Sequence, residues 1–424
     1  MVASKRVLIA VLDEKGQPAV CVSLCESLEG DKIMRSLIRS SLSMLCSVIP
    51  NTIIKDIQFA GSLTTGEATV IEKESEIICS DLDVIVSVGL PHYIILKMKR
   101  IFPKLAAHIN SNFSMKGLRT HVNISLTSRF LSLIPRSLKR SRIYSYEFAN
   151  NISIKKKKSS EAKTPRIYPP TKTDALQLIF TMCADYVFLD SMFECPTEKI
   201  YWLAKRYLTL IYAMLIFEGS PSRSYKRRLY LALRSPTIAK LFSIQGLNYL
   251  EDFTEFKLTG DSSQLFRALD ATTEDSVLDK LKTLSATQVK IVLSYQMSRS
   301  LRQGEICQQW WVRNAPNDHA LLNVLKRYFA ENSKSTVSSL VYTFFFSLFS
   351  ILTGRAHLIP FAARLFSLRH SLRVTSNYLV GLLFLHRTGV VESKPHFDNV
   401  LGELHLRERD VRSVWRMAEE IGYS

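Results

Sequence analysis

Asp81 and Asp83, in SDLDVIVSV, stand two residues apart and alternate with Leu82, Val84 and Val86. In an extended strand residues i and i+2 face the same way, so both carboxylates project together. Like charges held that close are unfavourable until a cation neutralises them, which makes a divalent metal ion their natural occupant. Ser62 precedes Asp81 by nineteen residues, and the pair Gly61–Ser62 follows the apolar run IQFA. Glycine permits close backbone approach, and a turn at that point offers N–H groups and a hydroxyl to an anion. Magnesium or manganese held by carboxylates and phosphate oxygens is the arrangement such a pairing predicts.

The same glycine segment, GSLTTGE (61–67), has the G-x-x-x-x-G spacing of a P-loop, in which Lys and then Ser or Thr come next. Here those places hold Glu67 and Ala68. A carboxylate aimed at a triphosphate would repel it, which removes the P-loop reading. The nine histidines are scattered without metal-ligand spacing, and no G-x-S-x-G or Cys–His signature is present. Gln308, Gln309, Trp310 and Trp311 offer either a stacking platform or core aromatics.

From about Ile53 to Leu126 the chain resembles the DNA polymerase beta-type nucleotidyltransferase superfamily, which carries Gly-Ser after one strand and Asp-x-Asp on the next. The resemblance implies a mixed sheet backed by helices and a two-metal site for attack of a hydroxyl on an NTP α-phosphate. By motif, Asp81 and Asp83 would hold the metals, and Gly61 and Ser62 would cradle the β- and γ-phosphates. Members often carry a third Asp on a later strand. LRTHVNISL (118–126) places Asn123 there, with His121 and Ser125 on the same face. An amide can ligate through oxygen but brings no negative charge and cannot act as a base. Glu67, His121 or Glu147 would have to supply that carboxylate's role, or the head is catalytically degenerate. An acidic insert, IEKESE (71–76), lengthens the distance between the motifs. A second likeness, to the helical segment of template-independent members, runs through YWLAKRYLTLIYAMLIFEG (201–219) and SYKRR (224–228). It implies that Lys205 and Ser224 contact the triphosphate and that Tyr225 stacks on the base.

The elements that must hold these residues are legible as patterns. Residues 6–12 and 18–24 read as a hairpin, and Asp31 as the cap of a helix to about Ser47. Strand, turn and strand follow from 53 to 88. A helix divided at Pro103 spans 92–109, and 118–126 alternates as one further strand. KKKKSSEAKTPRIYPP, with its lysine run and three prolines, reads as a linker over 154–172. Beyond it, helices are predicted at 173–193, 196–218, 222–234, 262–299 in pieces, 317–331, 336–353, 358–372, 374–387 and 407–422. The expected fold class is α+β. A nucleotidyltransferase-like head occupies 1–153, a helical domain 173–331 and a C-terminal helical domain 332–424.

Composition narrows the partners. Lys and Arg total 56 against 38 Asp and Glu, a net charge of +18, which favours an RNA end or another anionic acceptor. Seven cysteines, an odd and dilute set, do not build a disulfide scaffold, so a reducing, cytoplasmic setting is expected. Residues 336–354 carry no charge, but hydroxyls at Thr336, Ser339, Thr343, Ser347 and Ser350 mark one helical face. That stretch reads as a buried helix or one lying on a membrane, and 336–385 as a surface for peripheral membrane contact. The function expected is metal-dependent transfer of an NMP from ATP or another NTP to a hydroxyl of RNA, a nucleotide, a sugar or a protein. The alternatives are a degenerate head that binds nucleotide or RNA, and a peripheral membrane component.

Overall fold

The computed structural model describes Leu24–Cys25, 27–50, 52–72, 77–89, 91–92, 101–115, 117–128, Tyr146, 152–156, 169–300, 318–334, 337–352 and 354–423. The expected N-terminal hairpin, Glu147, and Gln308 to Trp311 lie outside the described residues.

The head begins with α1 (Leu28–Val48), capped by Ser27, whose Oγ accepts from the Gly30 N–H. Asp31, the cap expected from sequence, lies instead in the first turn, where its carboxylate accepts from Leu24 N and Arg35 Nε. Strands β1 (Ile54–Ala60), β2 (Val70–Glu72), β3 (Ile77–Cys79) and β4 (Leu82–Val88) follow, then α2 (Ile101–Ser114). The segment read as one strand is two: β5 (Leu118–Arg119) and β6 (Val122–Ser128) join different sheets.

The main sheet has the order β6-β4-β1-β7, with β7 spanning Ile152–Lys156. β1 runs antiparallel to both β4 and β7, and β4 runs parallel to β6. Lys155 and Lys156, expected in a linker, therefore belong to an edge strand opposite Ile57 and Asp56 of β1. Lysine on an edge strand discourages pairing with a further chain. Helices α1 and α2 cover the sheet through Met34, Leu37, Leu45, Leu105, Ile109 and Phe113, which share a core with Ile57, Phe59, Val84 and Val86. A smaller sheet, β2-β3-β5, lies against the helical body: its Ile71 and Ile78 belong to the body's core.

The body starts with α3 (Lys172–Met192), where Thr171 and Asp174 form a capping box, and α4 (Pro196–Phe217). Then come α5 (Tyr225–Ala232), α6 (Pro236–Thr259), α7 (Ser263–Ala268) and α8 (Glu274–Ser300). The remainder is α9 (Asp318–Asn332), α10 (Val337–Leu352), α11 (Ile359–Leu368), α12 (Leu372–Arg387), α13 (Ser393–Glu403) and α14 (Glu408–Tyr423). α3 and α4 are long and apolar enough to cross a bilayer, yet α4 is a core helix buried along almost its whole length. A boundary between residues 331 and 332 separates no cores. Phe180, Leu325, Tyr378 and Val414 are members of one buried cluster, and Phe329 packs on Tyr378 with rings 4.2 Å apart.

The patterns from sequence pass over α6 and α13. Pro236 inside the start of α6 and Gly260 past its end carry the usual boundary signals. Gly260 also locks body to head. Its φ is +79°, and a Cβ there would lie 2.4 Å from the Val70 carbonyl oxygen in β2. Gly260→Ala is therefore expected to cost about 2 kcal/mol or more, from left-handed strain plus that collision. Gly402→Ala, at a helical position with open space around it, should be neutral or mildly stabilising. Denaturant unfolding of the two variants side by side checks both signs.

Candidate functional site

The register of the main sheet brings three of the sequence-predicted residues, Gly61, Asp83 and Asn123, to one point. Asp83 of β4 stands opposite Ala60, the last residue of β1, on one side and opposite Asn123 of β6 on the other. Asn123 Nδ2 donates to Asp83 Oδ1 at 3.1 Å. Gly61 comes next after Ala60 with φ +74°, and a Cβ on it would fall 2.9 Å from Asp83 Oδ2. From there Gly61–Thr65 form one 3-10 turn, closed by Gly66 at φ +74°. The turn is stiffened by Thr64 Oγ1 and Thr65 Oγ1, which donate to the carbonyls of Gly61 and Ser62, and is pinned by buried Leu63. Ser62 is held at its start, partly exposed.

Asp81 lies just ahead of β4, and its neutralising cation comes from the body. Lys205 Nζ, on α4, donates to Asp81 Oδ1 in an ion pair largely shut off from solvent. Burial by itself would raise the Asp81 carboxyl, but the adjacent Lys205 ammonium outweighs it and holds the acid well below the usual carboxylate range. The reciprocal holds for Lys205: burial would lower it, and Asp81 pushes it above the usual lysine value. Trp202 backs the pair, with Lys205 Nζ 5.0 Å and the Arg206 guanidinium 4.3 Å from its ring centroid. Arg206 is itself paired with Asp185 at 2.6 Å. A small pocket opens beside Asp81, lined by Arg119, His121, Glu198, Tyr201 and Trp202 among others. The His121 ring meets Phe193 edge-on, 5.0 Å away, and burial lowers its pKa, favouring the neutral imidazole.

Glu67, the residue that excludes a P-loop, has a different task. Its buried carboxylate accepts from Ser224 Oγ at 2.7 Å and from the Tyr225 N–H at 2.9 Å, at the N-terminus of α5. A carboxylate there meets both the unpaired helix N–H groups and the positive end of the helix dipole. Ser224 and Tyr225 are thus brought to the head, where the serine hydroxyl is donated to Glu67. The buried Tyr225 ring packs with Arg228 at 4.9 Å and Lys257 at 5.2 Å. Glu67 engages α5 rather than the Asp83–Asn123 pair.

Lys257, on α6, is the site residue that sequence reasoning misses. It is 1% exposed, and its Nζ donates to the Glu67 carbonyl (3.1 Å), Thr69 Oγ1 (2.6 Å) and Ser80 Oγ (3.2 Å). Burial lowers its pKa. Ser80 Oγ also meets the Tyr201 hydroxyl at 3.0 Å. The available signal was helical spacing: Leu250, Phe253 and Lys257 stand at i, i+3 and i+7, a stripe whose first two members are buried.

Among the described residues no group of three or more His, Cys, Asp and Glu side chains gathers as a metal cage. The carboxylates of Asp81 and Asp83 each have a partner here, Lys205 and the Asn123 amide. No protein-family model matches the chain, and neither a curated protein nor a solved structure matches it.

The Asp81–Lys205 pair generates a test of sign. A carboxyl whose pKa is depressed on folding contributes stability above its unfolded value, near 4, that is lost as pH falls through the folded value. In Lys205→Met, buried Asp81 has lost its paired ammonium and its pKa rises, so acid instead relieves the variant. Lys205→Met is expected to cost about 3–5 kcal/mol at pH 7. The gap to wild type should narrow as pH falls below about 4, measured by urea unfolding at each pH.

Proposed function

We propose that this chain is a metal-dependent nucleotidyltransferase that moves an NMP from an NTP to a hydroxyl acceptor and releases pyrophosphate. The observation that carries the reading is the approach of the Gly61 turn to Asp83, whose Oδ2 lies 2.9 Å from where a Cβ on Gly61 would stand. The Gly61 turn and Asp83 meet at one sheet end, and such a meeting suits a nucleotide's phosphates together with their cation. The strand order further supports it: β1 antiparallel to β4, and β4 parallel to β6, put Gly61, Asp83 and Asn123 side by side.

Asp81 and Asp83 would hold magnesium or manganese, which when bound neutralises phosphate charge and polarises the α-phosphate. The turn from Gly61 to Thr65 binds the β- and γ-phosphates through backbone N–H groups and the Ser62 hydroxyl. Lys205 is the charge that changes partners: a phosphate beside Asp81 draws the ammonium towards itself and frees the carboxylate for the cation. Asn123 orients Asp83 through its amide N–H. The net charge of +18 favours RNA or another anionic molecule as acceptor.

The second reading, a degenerate head that binds nucleotide or RNA without turnover, draws on a specific observation. Asp81 is satisfied by Lys205 and Asp83 by Asn123, so both carboxylates have partners without a metal ion. Two measurements separate the readings. Isothermal titration with manganese-NTP should give binding that weakens at least about tenfold in Asp81→Asn and in Asp83→Asn. Unchanged affinity in both variants would sink either nucleotide reading. Pyrophosphate release with candidate acceptors should be measurable in wild type and raised in Asn123→Asp. That variant sets a carboxylate against Asp83, so it should be less stable without metal and recover with manganese. Binding without release in both forms selects the scaffold.

A further inference from the structure

Helix α10 is built inside out. Its hydroxyl residues face the protein: Thr343 and Ser350 are fully buried, and Ser347 and Ser350 donate back to the carbonyls of Thr343 and Phe346. Thr336 and Ser339 lie outside the residues whose side chains are described. The opposite face is apolar and open to solvent. Phe344, Phe345 and Ile351 are each more than half exposed, and Leu348 is exposed between them. Positions 344, 348 and 351 are one helical stripe. Phe346, by contrast, is buried and meets Phe361 of α11 at 5.6 Å, so α11 packs along α10, where it exposes Ile359 and Phe366. Large aromatic and aliphatic side chains grouped on one exposed face mark a contact surface.

Charge selects the occupant. Between Glu331 and Glu392 the chain contains no Asp or Glu and six basic residues, Lys334, Arg355, Arg364, Arg369, Arg373 and Arg387. Lys334 and Arg369 are exposed, and Arg355 partly so, next to the ends of α10 and α11. Two acids reach this run from α14: Asp410, buried between His357 and Arg407, and Glu408, which pairs with Arg387 at the far end of α12. An acid-free basic stretch flanking exposed Phe, Leu and Ile is the composition of a helix that lies in the interface of an anionic bilayer. At 16 residues α10 is about 24 Å long, short of the roughly 30 Å hydrocarbon core, and its buried hydroxyl face stays on the protein.

We propose that the exposed face of α10, with the neighbouring apolar residues of α11, docks this protein on a membrane surface rich in anionic headgroups. The inference is independent of nucleotide chemistry, because it uses no residue of the Asp81–Asp83 site.

The full chain is mixed with vesicles of phosphatidylcholine alone or with about one-third phosphatidylserine and floated through a density gradient. Wild type is expected to float with the anionic vesicles, to stay behind with the neutral ones, and to be released by salt. Phe344→Ser with Ile351→Ser should lower partitioning by about tenfold or more, and Arg355→Glu with Arg369→Glu should also weaken it. A separate variant, Leu348→Trp, keeps an apolar face, and its fluorescence should be quenched by brominated anionic vesicles. This measurement holds even if the serine variant does not fold. Failure of wild type to float, flotation of a folded serine variant at wild-type level, or an unquenched Leu348→Trp would each overturn the proposal. So would a wild-type dimer by light scattering that becomes monomeric in the serine variant, since the face would then belong to a second copy of this chain.

Discussion

A charge taken out of water must find a partner of opposite sign or a set of dipoles, because the uncompensated cost runs to several kcal/mol. That constraint organises the contact between head and body. Asp81 leaves solvent only because Lys205 arrives from α4, and Glu67 only because α5 presents its N-terminus. Lys257 is buried because the head supplies a carbonyl and two hydroxyls within hydrogen-bond distance. Each of these bonds crosses from one half of the chain to the other, so separating the halves would strand every one of the charges. The seam is specified by polar pairing as much as by apolar area, which is the use of buried polar groups with the best physical rationale.

The same arrangement explains why the candidate site is compact. Glycine suits the place after β1, since the backbone there is left-handed and a Cβ would fall 2.9 Å from Asp83 Oδ2. Asn123 then satisfies Asp83 with an amide N–H where a carboxylate would repel it. The two aspartates, similar in sequence, end in different surroundings: Asp81 faces an ammonium largely shut off from solvent at the seam, and Asp83 faces an amide at one end of the sheet.

Much of the fold was readable because amphipathic spacing and capping are local. Helices from α3 to α5, α8 to α12 and α14 fall within a few residues of where the periodicity predicts them, and β1 and β4 lie in the stretch read as strand, turn and strand. Errors came where local pattern is ambiguous. Nine residues from Leu118 to Leu126 look like one strand, but Thr120 and His121 interrupt the pairing and send β5 and β6 to different sheets. Lys155 and Lys156 look like linker composition, yet an edge strand tolerates lysine. The patterns miss α6, although Pro236 and Gly260 mark its ends, and with it Lys257.

The division between sequence and tertiary structure follows from the range of the interactions. Order along the chain determined the Asp81–Asp83 pair, the Gly61 turn and the exclusion of a P-loop, all of which depend on residue type and short spacing. Only packing could decide which cation reaches Asp81, because Lys205 lies 124 residues away in the chain. The same is true of Glu67 and Ser224, 157 residues apart, and of Thr69 and Lys257, 188 apart. Likewise the hydroxyl stripe of α10 was visible as a period, but which side of it turns to solvent depended on the neighbours α11, α12 and α14. A short-range pattern states that a helix has two faces. The free energy of burying one of them against a particular partner decides which face water sees.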